Sequence, residues 1–182
     1  MKVLVTGGVR SGKSRHAEEM VGQRPAVYVA AGPTPEAEPD PDWRARIAAH
    51  RLRRPVAWTT REGLDVAGVL GAADRPEAVL VDCLGTWVTG IIDSERHGSG
   101  SLWDAPAEVI EQVIGRWSDE LVAAIAAFDG DLVVVTNEVG LGVVPEHRSA
   151  RLFRDMLGTL NQRVGAVCDE VHLVVAGRVL TL

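Results

Sequence analysis

The sequence feature that most constrains the fold is the run of residues 7–14, which reads GGVRSGKS and matches the pattern G-x-x-x-x-G-K-[S/T]. The apolar run Val3-Leu4-Val5 precedes it, and a helical pattern from Lys13 to about Val21 follows it. Glycine permits the tight turns that point backbone N–H groups at phosphate oxygens, and a helix N-terminus adds partial positive charge. The run therefore predicts a strand, a phosphate-binding loop and a helix, whereas the alternative is a chance glycine-rich turn.

Two side chains of this loop have specific predicted roles. Lys13 can reach the β and γ phosphates of a nucleoside triphosphate, and the Ser14 hydroxyl can bind Mg²⁺. Of the 19 basic residues only Lys2 and Lys13 are lysine, so lysine is kept where a compact point charge is needed. The nucleotide-binding residues predicted in the loop are Gly7, Gly8, Val9, Arg10, Ser11, Gly12, Lys13 and Ser14.

A second candidate for the Mg²⁺ site is Asp82, which ends the apolar run Val79-Leu80-Val81. An apolar strand that ends in a carboxylate is the usual partner of a phosphate loop, because the carboxylate supports the metal ion. The alternative is an aspartate that serves only as a turn residue. Because the sequence also contains a phosphate loop, we interpret Asp82 as a ligand of Mg²⁺ and as part of the nucleotide-binding site.

Strand and helix patterns alternate along the 182 residues, which predicts an α/β fold in one domain over residues 1–182, with a mainly parallel sheet and helices on both faces. Residues 32–39 contain three prolines and are expected to form neither helix nor central strand, and the polar residues 93–101 are expected to form a mobile loop. Strands are predicted near residues 3–5, 26–30, 56–59, 78–81, 132–135, 171–175 and 179–182, and helices near 13–21, 41–53, 63–70, 105–128 and 146–164.

Composition excludes several classes of partner. The net charge of −6 argues against nucleic acid as the main partner, because a phosphate backbone needs a basic face. No apolar run reaches the roughly 18 residues of a membrane helix. Cys83 and Cys168 are the only cysteines and form no CxxC pair, so we expect a cytoplasmic protein with reduced thiols.

A histidine lies on the helix predicted after the proline-rich segment. Trp43, Ile47 and His50 fall at i, i+4 and i+7 and therefore share a face. A neutral imidazole could attack the α-phosphorus of a nucleotide and hold the nucleotidyl group as a phosphoramidate. The alternative is a partly buried histidine that packs its helix on the sheet, with the neighbouring arginines in water: Arg51, Arg53 and Arg54.

Polar residues also follow the predicted strand 132–135. Asn137 and Glu138 would lie at the carboxyl edge of the sheet, where ligands of such folds bind, although a helix-entry turn would have the same composition. We interpret Arg148, Arg151 and Arg154 as exposed, and the remaining histidines as structural: His16, His97, His147 and His172.

Four segments together carry a resemblance that covers nearly the whole chain. In chain order they are GG-x-RSGKSR at 7–15, RI-x-x-H at 46–50 continuing to RP-x-x-W at 54–58, DCL-x-TW at 82–87, and TNEVG-x-GVVP at 136–145 continuing to R-x-FRD at 151–155. They resemble the bifunctional adenosylcobinamide kinase / adenosylcobinamide-phosphate guanylyltransferase family. Gly85 and Gly90 depart from the family's pattern, which often has threonine and asparagine there.

The resemblance implies a RecA-type P-loop sheet and two activities. The enzyme would phosphorylate the aminopropanol hydroxyl of adenosylcobinamide with ATP or GTP, and would then attach GMP from GTP to adenosylcobinamide phosphate. Mg²⁺ would assist, and the chain would form a homo-oligomer, a trimer with sites between subunits. The resemblance implies a catalytic His50 that carries the GMP, with Lys13 also catalytic, and the nucleotide site then includes Asp82 and three further residues: Arg51, Glu62 and Glu138.

Two other functions fit the phosphate loop. A single-activity P-loop small-molecule kinase would have the same loop and a structural His50, and would form no covalent nucleotide. A RecA-like nucleotide-dependent switch or assembly protein would need a protein partner and would turn over slowly.

Overall fold

The computed structural model describes residues 1–32, 40–72 and 78–182, and for Trp43 and Arg46 it describes the backbone alone. The expectation for the proline-rich segment therefore lies outside the described residues from position 33 to position 39. The expectation that Trp43 shares a helix face with His50 stays a prediction, because only the backbone of Trp43 is described.

The described residues form strands and helices in alternation, as predicted. The strands are β1 Lys2–Gly7, β2 Ala26–Ala30, β3 Trp58–Glu62, β4 Ala78–Asp82, β5 Arg96–His97, β6 Gly100–Ser101, β7 Asp131–Val135, β8 Glu170–Val175 and β9 Arg178–Thr181. The helices are α1 Lys13–Val21, α2 Pro41–Arg53, α3 Val66–Gly71, α4 Leu84–Ser94, α5 Ala107–Ala127 and α6 Arg148–Gly165, with a 3₁₀ turn at Leu102–Asp104.

The main sheet of the described residues has the strand order β3-β2-β4-β7-β1-β8-β9. All neighbouring pairs run parallel except β8 and β9, which form an antiparallel hairpin. Strand β7 lies between β1, which leads into the phosphate loop, and β4, which ends in Asp82. This order, with helices on both faces, confirms the predicted α/β class with a mainly parallel sheet.

The central strands are apolar on both faces, as strands covered on both sides must be. Val3 and Val5 pack against α1, which contributes Ala17 and Val21 to that side of the core. Leu4 belongs to the opposite side, which is covered mainly by buried residues of the later helices: Trp87, Ile91, Ile110, Ile114, Leu157 and Leu160. The sheet therefore separates two apolar layers, and its carboxyl edge remains open between them.

Helix α4 was not predicted, and its sequence explains why. LGTWVTGIIDS combines two glycines with several β-branched residues, a composition with weak helix propensity. The helix forms because Trp87, Ile91 and Ile92 are fully or almost fully buried, so tertiary packing outweighs propensity. A Cβ on Gly90 would come within 2.8 Å of Leu64 Cδ2, so close packing accounts for the glycine there.

The expectation that residues 93–101 form a loop without secondary structure is wrong, while their mobility stays a prediction. Residues 93 and 94 end α4, and β5 pairs with β6 in a short antiparallel hairpin. The indole Nε1 of Trp103 donates to Asp93 Oδ1 at 2.7 Å, and the amide of Trp103 donates to Ser101 Oγ at 3.2 Å. These side-chain contacts order a polar sequence that reads as a loop.

The predicted start of β3 was two residues early, because Pro55 is followed by a turn. The amide of Trp58 donates to the Pro55 carbonyl oxygen at 3.0 Å, and the strand begins only there. Two of the histidines interpreted as structural, His16 and His172, join α1 to β8 through a 2.9 Å contact between His16 Nε2 and His172 Nδ1. Burial and the neighbouring His172 lower the pKa of His16, which favours the neutral form of His16.

None of the helices in the described ranges has the length and apolar character needed to cross a membrane.

Candidate active site

The phosphate loop connects β1 to α1, and two of its glycines are required by the backbone. A Cβ on Gly7 would lie 2.4 Å from the carbonyl oxygen of Val174 on β8 and 2.7 Å from Ser11 Oγ. Gly12 has a φ of +98°, a left-handed conformation that side chains with a Cβ rarely adopt. The close approach at Gly7 and the turn at Gly12 together place the loop over the N-terminus of α1.

Lys13 folds back over the loop, as expected of a lysine that reaches bound phosphates. Its side chain is only 6% exposed, and Nζ donates to the Gly8 carbonyl oxygen at 3.2 Å. The Ser11 hydroxyl is buried inside the loop without a hydrogen-bond partner among the described residues. A buried lysine and a buried unsatisfied hydroxyl in the same loop suit a loop that receives an anion.

Asp82 ends β4 at the same edge of the sheet, and its side chain is 10% exposed. The Tyr28 hydroxyl donates to Asp82 Oδ2 at 3.0 Å, which fixes the orientation of the carboxylate. No cluster of three or more His, Cys, Asp or Glu with metal-binding geometry occurs in the part of the chain that the structure describes. A hydroxyl from Ser14 and a carboxylate from Asp82 nevertheless suit Mg²⁺, which is commonly held by one or two protein oxygens together with phosphates and water.

Helix α2 places His50 at this edge. The helix begins as predicted: Pro41 is its first residue, and the Asp40 side chain accepts a hydrogen bond from the Asp42 amide at 2.9 Å. His50 Nδ1 lies 3.9 Å from Asp82 Oδ2 and 4.0 Å from Glu18 Oε1. The imidazole therefore stands beside the carboxylate that is predicted to support the metal ion.

The contacts of His50 bear on which ring nitrogen can react. Arg53 Nη2 lies 3.3 Å from Nδ1, within hydrogen-bond distance, while the two carboxylates are slightly beyond it. Because a guanidinium group can only donate, Nδ1 accepts this hydrogen bond, and the neutral imidazole then carries its proton on Nε2. In this arrangement the lone pair is on Nδ1, the nitrogen that lies near Arg53, Glu18 and Asp82.

Tyr28 connects the histidine helix to the metal candidate. The guanidinium carbon of Arg54 lies 3.7 Å from the centroid of the Tyr28 ring, and Trp58 stacks on Tyr28 with ring centroids 6.1 Å apart. Burial, with Asp82 as the next cause, raises the pKa of Tyr28 well above its usual value, so the hydroxyl stays protonated and donates to Asp82. The sequence analysis missed Tyr28, although it is the only tyrosine in the chain and lies in a strand just before the carboxyl edge.

These side chains line one cavity of about 410 Å³. Lys13, Ser14, His50 and Asp82 all line it, and so does Val9. The structure therefore brings together residues from the phosphate loop, α2 and β4 that are far apart in the sequence. A cavity of this size, with a lysine, a carboxylate and an imidazole, can hold a polyphosphate next to a nucleophile.

The opposite wall of the cavity comes from α4, the loop after β7 and α6. It includes Gly85, Thr86, Asn137 and Phe153. The Thr86 hydroxyl donates to the Ala31 carbonyl oxygen at 2.7 Å and so ties α4 to the end of β2. Burial and then Asp82 raise the pKa of Cys83, which makes this thiol a weak nucleophile at neutral pH. Of this wall the sequence analysis singled out only Asn137 as a site candidate, because the helix α4 was not predicted.

Of the nucleotide-binding residues predicted outside the phosphate loop, only Asp82 lines the cavity, and three do not: Arg51, Glu62 and Glu138. Five loop residues also stay outside the lining: Gly7, Gly8, Arg10, Ser11 and Gly12. Arg51 Nη2 forms an ion pair with Glu62 Oε1 at the end of β3. The Glu138 amide donates to the Gly7 carbonyl oxygen at 3.1 Å, and its carboxylate accepts from the Gly140 amide at 2.7 Å. Glu138 thus braces the phosphate loop from within a turn. The nucleotide contacts of Arg51, Glu62 and Glu138 stay predictions.

The fold and the cavity define a class. The phosphate loop follows the parallel strand β1, and the largely buried carboxylate of Asp82 ends β4, with β7 between the two strands. This arrangement is the site of a P-loop nucleotide-binding enzyme. A family model described as cobinamide kinase / cobinamide phosphate guanyltransferase matches residues 3–182. The chain belongs to this family, which confirms the resemblance that its motifs carry.

Individual relatives agree with the family model. The chain is 42% identical over 181 residues to the bifunctional adenosylcobalamin biosynthesis protein CobU of Salmonella typhimurium strain LT2, with 97% of each chain covered. It is 43% identical over 181 residues to the protein of the same name from Escherichia coli strain K12, again with 97% of each chain covered. Among solved structures, the P4 protein of bacteriophage phi6 in complex with ADP gives a TM-score of 0.47 at 17% identity, covering 99% of this chain and 53% of that one.

Proposed function

We propose that this chain phosphorylates adenosylcobinamide with ATP or GTP and then transfers GMP from GTP to adenosylcobinamide phosphate. The transfer passes through a covalent guanylyl-histidine on His50. The observation that supports this proposal best is that His50 lines the same cavity as Lys13, Ser14 and Asp82. The family to which the chain belongs has both activities in its description.

In the kinase step the aminopropanol hydroxyl attacks the γ-phosphorus and a nucleoside diphosphate leaves. Lys13 and the loop amides stabilise the charge that moves onto the leaving phosphate oxygens. Ser14 and Asp82 would hold Mg²⁺, whose positive charge supports the same shift. Because the reacting groups are held side by side, positioning supplies much of the rate.

In the transfer step an imidazole nitrogen of His50 attacks the α-phosphorus of GTP, a P–N bond forms, and pyrophosphate leaves. A phosphate oxygen of adenosylcobinamide phosphate then attacks the same phosphorus. The P–N bond breaks, adenosylcobinamide-GDP forms, and His50 is restored. Splitting one displacement into two lets one cavity serve a donor and an acceptor in turn.

Further parts of the proposal extend the site and the assembly. Arg51, Glu62 and Glu138 contact the nucleotide, with Arg51 near the departing pyrophosphate. The chain functions in the cytoplasm as a homotrimer with sites between subunits. Single-activity kinase and nucleotide-switch functions remain the alternatives that the following experiment tests.

The test is covalent labelling with GTP that carries radioactive phosphorus at the α position, in the presence of Mg²⁺. After denaturation we expect label that is acid-labile and alkali-stable on the unaltered protein and on His97→Ala. His50→Ala should carry none. His97 is the matched control because it is an exposed histidine in the β5–β6 hairpin.

Two outcomes would contradict the proposal. Unlabelled protein that still binds GTP and phosphorylates adenosylcobinamide would indicate a single-activity kinase. Unlabelled protein that hydrolyses nucleotide slowly and phosphorylates no cobinamide would favour the switch. In either case His50 would be a residue that packs its helix on the sheet.

A further inference from the structure

A second, larger cavity lies beside the first. It is an open groove of about 950 Å³ between the 3₁₀ turn Leu102–Asp104 and the beginning of α6. Trp103, Asp104 and Pro106 form one wall, and His147 and Ser149 form the other. None of these residues belongs to the nucleotide site described above.

The walls of the groove are held together by an arginine. Arg148 Nη1 donates to the Trp103 carbonyl oxygen at 2.9 Å, and Nη2 donates to the Ala105 carbonyl oxygen at 2.8 Å. The Trp103 indole is fixed in turn by its hydrogen bond to Asp93. The groove is therefore a preformed feature rather than a gap between loosely packed elements.

The groove and the nucleotide cavity meet at Phe153. This side chain lines both of them. A Cβ on Gly85 would lie 3.7 Å from Phe153 Cζ and 3.0 Å from Asn137 Oδ1, so Asn137 and Phe153 pack closely against the bare backbone at Gly85, and any larger residue there would crowd them. A ligand in the groove could extend one arm past Phe153 toward the phosphate loop.

The volumes of the two cavities indicate which part of the reaction mixture each one can hold. A cavity of about 410 Å³ is filled by one nucleoside triphosphate, and no room remains for a macrocyclic acceptor. A corrin ring with its side chains is much larger than the nucleotide, and only the hydroxyl-bearing arm has to reach the γ-phosphorus or His50. The body of the acceptor must therefore lie outside the first cavity.

We propose that the groove between the 3₁₀ turn and α6 binds the corrin body of the acceptor, with its reactive arm passing Phe153 into the nucleotide cavity. This inference rests on the proposed function, because that function supplies the acceptor. The segment between β7 and α6 contributes His147 to the groove and also exposes apolar side chains: Leu141 is 87% exposed, Val143 95% and Val144 61%. Exposed apolar residues are typical of a surface that binds a ligand or another protein.

The test fills the groove from an exposed position that does not line the nucleotide cavity. Ser149→Trp adds a large side chain at the second residue of α6, and Gln162→Trp places the same side chain on an exposed residue of that helix outside both cavities. We expect Ser149→Trp to raise the KM for adenosylcobinamide, and its dissociation constant by titration calorimetry, at least tenfold. Labelling of His50 from GTP should be unchanged in both variants, because that half-reaction needs no acceptor.

A second variant guards against an effect of one substitution on folding. Asp104→Trp fills the groove from the opposite wall and should have the same effect. Unchanged KM and dissociation constant in both variants would overturn the inference. So would a change in oligomeric mass with unaltered acceptor affinity, because the groove would then be a contact between copies of this chain.

The labelling and calorimetry experiments distinguish a failure of this inference from a failure of the proposed function. If the unaltered protein takes no label from GTP, the covalent mechanism fails, yet calorimetry still reports whether the groove binds the acceptor. If the label appears and the groove variants bind adenosylcobinamide normally, the mechanism stands and the acceptor lies elsewhere.

Discussion

At the scale of single residues, the phosphate loop shows how little freedom the site allows. Gly7 and Gly8 are adjacent and look equivalent in the sequence. In the structure a Cβ on Gly7 would meet backbone and side-chain atoms within 3 Å, whereas a Cβ on Gly8 would meet nothing within 4 Å. The difference arises because Gly7 faces β8, which is more than 160 residues away in the chain.

We predict that Gly7→Ala lowers the free energy of unfolding by about 1–3 kcal/mol, the usual cost of forcing extra atoms into a packed region. GTP affinity should fall at least tenfold, because the loop must shift. Urea denaturation and titration calorimetry measure the two effects. Gly8→Ala is the matched control and should unfold at nearly the urea concentration of the unaltered protein. Equal stability of the two variants would contradict this reading of the loop.

We also predict a metal-dependent effect of Tyr28→Phe. The substitution removes the hydroxyl that orients Asp82 and retains the ring that contacts Arg54. We expect the Mg²⁺ concentration for half-maximal GTP binding to rise about tenfold, a typical effect of losing a group that orients a metal ligand. A fluorescent GTP analogue titrated with Mg²⁺ provides the measurement. An unchanged Mg²⁺ requirement, with loss of binding in Asp82→Asn, would show that Tyr28 only packs.

At the scale of elements, α2 and α4 show two different limits of sequence reasoning. Helix α2 was predicted with its capping residue and its end, because the Asp-Pro start and the turn at Pro55 are local signals. Helix α4 was missed because its local signals are unfavourable and its stability comes from burial. The wall of the candidate site formed by Gly85 and Thr86 was therefore also missed.

Two helical glycines allow a comparison of propensity with packing. Gly158 on α6 is exposed and has nothing within 4 Å of an added Cβ, whereas an added Cβ on Gly90 of α4 would meet Leu64 at 2.8 Å. We predict that Gly158→Ala raises the free energy of unfolding by about 0.5–1 kcal/mol, the helix-propensity difference. Gly90→Ala should gain less, or lose stability, because Leu64 must move. Urea denaturation of both variants is the measurement, and a larger gain at Gly90 would contradict the packing argument.

At the scale of the whole molecule, the exposed edge of the sheet is the outstanding feature. Strand β9 is exposed along its length, and Val179, Leu180 and Leu182 are 43%, 56% and 70% exposed. An apolar edge strand invites pairing with another chain unless something covers it. This surface is consistent with the proposed homo-oligomer.

We predict that light scattering gives a mass about three times the 19.5 kDa of one chain. Leu180→Lys should lower that mass if β9 lies in the contact between subunits. Strand β1, which contains Lys2, is a central strand of the same sheet and has no comparable exposed edge. Gln162→Trp serves as the control for a change of an exposed residue elsewhere. A monomeric mass for the unaltered protein would contradict the trimer.

The sequence by itself determined the phosphate loop, the alternation of strands and helices, and the family, because these depend on local patterns and on motifs in order. It also indicated Asp82 from the apolar strand before it, and His50 from the family motif, because the helix pattern around His50 left a structural role open. Only the tertiary structure decided that the two side chains lie 3.9 Å apart, that Tyr28 orients Asp82, and that Phe153 joins two cavities. These relations join residues that are distant in the chain, and they arise from sheet order and helix packing, which no local pattern records.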